Sequence, residues 1–136
     1  MCYFLYGAIN DGFNSDDYNK AIKDSEYHFN TGNIKQVNTC VENCGNRYRI
    51  TFNRCDCDTA VGGKQINRKG LKKLEEVMIS LKSVRGIKYV LLSKNWWEEN
   101  NNEQKTIHID DVDILRFLAD VEDNCLYKIE LYPKYY

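Results

Sequence analysis

Proline and histidine are scarce in this chain of 136 residues: there is one proline, Pro133, and two histidines, His28 and His108. With so little proline, hardly any of the sequence reads as a Pro-rich linker. No run of 18 apolar residues occurs, so no membrane-spanning helix is expected. The N-terminus lacks a basic segment and its apolar stretch is short, so a signal peptide is not expected. The formal net charge is -1. A balance so near zero favours neither nucleic acid nor a membrane surface as partner. Serine-hydrolase, HExxH zinc-protease and zinc-deaminase signatures are missing. Gly62-Gly63-Lys64 lacks the leading glycine and the following hydroxyl of a phosphate loop, and reads as a connection.

What is present is the composition of one globular domain spanning 1–136, with 43% hydrophobic and 29% charged residues. A chain of this length can bury about two thirds of its unfolded surface, enough for a core without staples. The six cysteines and the missing leader together suggest a cytoplasmic protein whose thiols are free or metal-bound.

Local patterns order the elements. Cys2 to Ile9 reads as a strand, Asn10-Asp11-Gly12 as a turn, and Asp16 to Lys23 as a short helix capped by Ser15. Tyr27 to Asn30 reads as a strand, and 33–46 as a polar loop. Arg47 to Arg54 alternates Tyr48, Ile50 and Phe52 against polar residues, the period of a half-buried strand. Leu71, Leu74, Met78, Leu81 and Val84 make the apolar stripe of a helix from Arg68 to Arg85, stopped by Gly86. Ile87 to Ser93 predicts a central strand, hairpinned to Lys105–Asp110 through a long polar tip that starts near Trp96 and Trp97. A helix capped by Asp110 and broken by Asn124 follows, then a strand from Cys125 to Tyr132. The pattern predicts an α+β fold: a mixed, mostly antiparallel sheet of about five or six strands, with two or three helices on one face.

The sharpest chemical pattern is C-x3-C-x10-C-x-C, formed by Cys40, Cys44, Cys55 and Cys57. Four thiolates suit tetrahedral zinc, and the first pair has a usual ligand spacing. Cys55 and Cys57 are closer in sequence than usual, so four small packed thiols remain the alternative. A thiol enzyme would use Cys55 or Cys57 with His28 or His108. Asp56 and Asp58 oppose it, because nearby negative charge keeps a thiol protonated. Cys2 reads as a strand cysteine, and His108 as a solvent-facing residue of an alternating strand.

Charge is segregated along the chain. Val61 to Val90 carries eight basic and two acidic residues, whereas Glu98 to Asn124 carries nine acidic and two basic. Arg68, Lys69, Lys72 and Lys73 crowd the start of a helix, where positive charge is unfavourable, which points to an acidic partner there. Aromatic residues do not interleave with this patch, so nucleic acid is disfavoured. Trp96 and Trp97 are the first expectation for a protein contact surface. The reading that follows is a small binding or interaction domain with a zinc site as its structural option. A thiol-dependent protein and a basic-patch binder of an acidic partner are the alternatives.

Overall fold

The computed structural model describes residues 3–23, 27–31, 46–52, 68–96 and 101–132. Cys40, Cys44, Cys55 and Cys57, expected as zinc ligands, together with Cys2, Gly62-Gly63-Lys64 and Trp97, lie outside these residues. Six strands form one sheet: β1 (Tyr3–Ile9), β2 (Tyr27–Thr31), β3 (Asn46–Phe52), β4 (Tyr89–Trp96), β5 (Glu103–His108) and β6 (Cys125–Glu130). Three helices accompany them, α1 (Ser15–Ile22), α2 (Arg68–Leu81) and α3 (Ile114–Ala119), with a 3-10 turn at Ile109–Asp111. The class is α+β. No helix among the described residues is long and apolar enough to cross a membrane.

Strand order is β2-β3-β1-β4-β6-β5. All neighbours are antiparallel except β5 and β6, which run parallel. The expected hairpin between the fourth and fifth strands does not form, because β6 lies between them. The side chains account for this. β6 buries Cys125, Leu126, Tyr127 and Ile129 on its two faces, so it needs a neighbour on each side. β5 exposes Glu103, Gln104 and Thr106 and tolerates the edge. The chain from β5 returns through α3, the kind of crossover that a parallel pair requires.

Leu5 and Ile9 of β1, Val90 and Leu92 of β4, and Tyr127 and Ile129 of β6 share one face of the sheet. Against them pack Tyr18 of α1, Leu71, Leu74, Met78 and Leu81 of α2, and Leu118 of α3. Burying one such leucine contributes about 2 kcal/mol. The helical stripe therefore does what its spacing predicts, and the described helices pack on this face. Gly7 lies on the same face by strand alternation, and a Cβ there would sit 2.8 Å from Ile50 Cδ1, which favours glycine. The other face carries a smaller cluster of Tyr6, Ala8, Leu91 and Leu126.

Several boundaries move. Asn14, not Ser15, caps α1, its side chain accepting from Asp17 N at 2.9 Å. Asp113, not Asp110, caps α3, accepting from Arg116 N at 3.2 Å. The α2 helix ends at Leu81, and turns carry the chain to Gly86, whose φ of 88° is left-handed. The β4 strand runs on to Trp96, so it takes in Lys94 and takes Asn95 out of the expected loop. Their burial is compensated by ionic and amide partners, which composition does not reveal.

Candidate functional site

The chemistry-bearing side chains that the structure gathers lie around β4, β5 and β6. On the helix-covered face, register places Glu103 opposite Cys125 and Lys105 opposite Tyr127. Glu122, just before β6, completes the group. Ligand atoms of Glu103, Glu122 and Cys125 all lie within 4.8 Å of one another. Two carboxylates and a thiolate are ligands that zinc accepts. Here, however, Lys105 Nζ lies 3.0 Å from Glu122 Oε2 and 3.9 Å from Glu103 Oε1. The hydrogen bond to Glu122 raises the pKa of Lys105 and keeps it an ammonium. Burial pushes the Cys125 thiol up, so it stays protonated at neutral pH. A metal would have to displace both the ammonium and the thiol proton. As it stands, the group is an ion-pair cluster over a buried thiol, with Tyr127 Oη accepting from Glu122 N at 3.0 Å.

A second group lies on the opposite face. Ser93 and Asn95 are fully buried on β4. Ser93 Oγ is 2.5 Å from Asn95 Oδ1 and 2.6 Å from Asn101 Oδ1. Asn95 Nδ2 donates to Asn101 Oδ1 at 2.9 Å and to Asn124 Oδ1 at 3.4 Å. Asn124 also adopts φ 56°, and its N–H donates to Lys94 O at 2.8 Å. This network ties the connection after β4 to the turn before β6. It satisfies buried polar atoms that would otherwise be costly.

The third feature is a groove of about 600 Å³ beside the end of β5. Thr106, Ile107 and His108 form one wall, Asp111 and Val112 the turn above, and Glu130 and Tyr132 the far side. His108 does not face solvent, contrary to the alternating-strand expectation, and is only 9% exposed. Its Nε2 meets the backbone oxygen of Tyr132 at 2.7 Å, and its Nδ1 accepts from Asp110 N at 3.1 Å. That pairing assigns the Nε2–H tautomer and occupies both ring nitrogens. The Tyr132 hydroxyl donates to the Glu130 carboxylate.

The expected site residues that the structure describes are spread over α2, β4 and β2. Lys72 is exposed and Lys73 half-buried on α2, and Arg68 and Lys69 open that helix. Trp96 ends β4 opposite Tyr3 in register, and His28 lies in β2 opposite Thr51. The basic and acidic segments partly neutralise each other, since Lys82 Nζ pairs with Asp110 at 2.8 Å. Glu103, Lys105, Glu122 and Cys125 were not singled out by sequence reasoning. Two-residue spacing could have put Glu103 with Lys105 and Cys125 with Tyr127. Nothing local could have set the two strands side by side. Comparison with known proteins finds no matching family model, no similar curated protein and no matching solved structure.

Proposed function

We propose that this chain is a small cytoplasmic protein-interaction domain that engages its partner along the outer edge of β5. The observation that carries the reading is the position of that strand. β5 joins the sheet through β6 alone, and among the described residues no strand pairs with its other side. An edge strand turns alternate N–H and C=O groups outward, where an extended segment can add to the sheet. Exposed Gln104 and Thr106 leave room for such a neighbour. Among the described residues, both nitrogens of His108 are bonded and Cys125 is a buried thiol. The cytoplasmic assignment rests on cysteine usage.

A structural zinc held by Cys40, Cys44, Cys55 and Cys57 remains part of the proposal, supported by their spacing. Elemental analysis of untagged protein decides it: about one zinc per chain is expected, and metal-free protein with six reactive thiols would remove it. The interaction reading is tested by placing a photo-crosslinking residue at Thr106 in the full chain, with exposed Glu76 of α2 as control. A discrete protein adduct from Thr106 alone is expected, in the cells that make the protein. No adduct, or the same adducts from both positions, would defeat the reading.

A further inference from the structure

We propose that the groove at the end of β5 seats a lysine or arginine side chain, carried by an extended segment of the partner that adds to the β5 edge. The inference rests on the interaction reading and names the partner's chemistry. The described lining residues include two carboxylates, Asp111 and Glu130, and no lysine or arginine. Exposed Asp113 lies in the same turn region, whereas Asp110 is already paired with Lys82. On the groove's own face Lys128 of β6, opposite Thr106 in register, carries its Nζ over the Tyr89 ring at 4.8 Å, and Lys105 of β5 is bound to Glu122 on the other face of the sheet. An acidic side chain would enter a like-charged field, and a cation an attractive one.

Shape agrees with charge. Ile107 and Val112 give the groove apolar wall for the methylene stem of a long basic side chain. Tyr132 is 42% exposed and its ring stands edge-to-face with His108, which adds aromatic wall to the groove. Its hydroxyl bonds Glu130 and so orients that carboxylate. His108, with both nitrogens bonded, serves as wall rather than as charge. Thr106, His108 and Glu130 lie on one face of the sheet, the face that alternate side chains of a strand added to β5 would share.

The test is an amide NMR titration of the full chain with two pentapeptides, acetyl-Val-Lys-Val-Lys-Val-amide and its counterpart with glutamate in place of lysine. The lysine peptide is expected to move the amides of Thr106, Ile107, His108 and the stretch from Glu130 to Tyr132. The glutamate peptide is expected to bind at least about ten-fold more weakly. Glu130→Gln should weaken the lysine peptide by a similar factor. Thr106→Lys, at an exposed position, should do the same by adding a competing cation, and an otherwise unchanged spectrum certifies its fold. No movement on β5, equal binding of the two peptides, or unaltered binding by both variants would overturn the proposal. A protein adduct at Thr106 alongside those results would reject the charge preference and leave the edge reading standing. Absence of any adduct would instead reject the edge reading itself.

Discussion

The side-chain amide of Asn10 donates to the carbonyl oxygen of Gly86 at 2.9 Å, joining positions 76 residues apart. The same amide donates to Asp11 O at 3.0 Å, and its oxygen accepts from Lys88 N at 2.8 Å and Tyr89 N at 3.3 Å. One buried side chain thus fastens the turn after β1 to the entry of β4, two strands that pair along their length. Asn10→Ala would leave these backbone groups without their partner. It should lower unfolding free energy by about 2–4 kcal/mol, read from urea titration with an unchanged slope.

Gly86 is held in the left-handed region, and a Cβ there would lie 2.6 Å from Gly12 O. Gly12 is also left-handed, with φ 89°, but has open space around it. Gly12→Ala should therefore cost about 1–2 kcal/mol, the conformational part alone. Gly86→Ala should cost clearly more, because backbone must shift as well. Equal losses in melting temperature would show that the close approach is not felt.

Arg85 Nε bonds Asp17 Oδ2 at 2.8 Å, and that hydrogen bond holds the Asp17 carboxyl below its ordinary range. The native chain then binds fewer protons there than the unfolded chain. The contribution is present above the unfolded carboxyl pKa and is lost as pH falls below about 4. Asp17→Asn should remove this acid-sensitive part while leaving the remaining pH dependence. Unfolding titrations from neutral to acid pH that stay parallel for the two proteins would refute it.

Cys125 has the opposite sign. Its folded thiol ionises at higher pH than the unfolded one, because burial disfavours the thiolate. Stability from this group is intact below about pH 8.5 and is lost as pH rises beyond it. Mass spectrometry of the peptide containing Cys125 should show slow alkylation in native protein at neutral pH and fast alkylation in denaturant. Fast native labelling would mean the thiol is open to solvent.

Among the described residues Tyr18 Oη is buried with no hydrogen bond of full geometry, although the Tyr48 side chain is close enough to act on it, and its ring packs against those of Phe13 and Tyr48. Burial pushes its pKa up, with Tyr48 adding to the effect. Tyr18→Phe keeps the ring contacts and removes the buried hydroxyl, so it should raise stability by about 1 kcal/mol. A loss of similar size in thermal or urea unfolding would show that the hydroxyl is satisfied.

Strong short-range signals read well from the chain. The stripe Leu71, Leu74, Met78 and Leu81 is buried on α2, and Gly86 is left-handed as a helix-stop glycine should be. Capping was misread by one residue at Asn14 and by three at Asp113, because several adjacent polar residues suit a cap and backbone geometry selects one. Asn95 reads from the sequence as loop and His108 as solvent-facing, and Lys94 carries no local sign of burial. Each is buried because partners distant in sequence, Asp123, Asn124 and Tyr132, meet its polar atoms.

Hydrophobic period, turn residues and charge order determined by themselves that this chain builds an α+β domain with an amphipathic central helix and segregated charge. These are properties of neighbours a few positions apart, and geometry within a helix or strand turns them directly into faces. Only the tertiary structure decided that β6 enters between β4 and β5. That insertion aligns Glu103 with Cys125, brings His108 to the backbone of Tyr132, and leaves β5 at one edge of the described sheet. Strand order follows from which strands must be buried on both sides, and that competition is settled across the whole sheet rather than within any one segment.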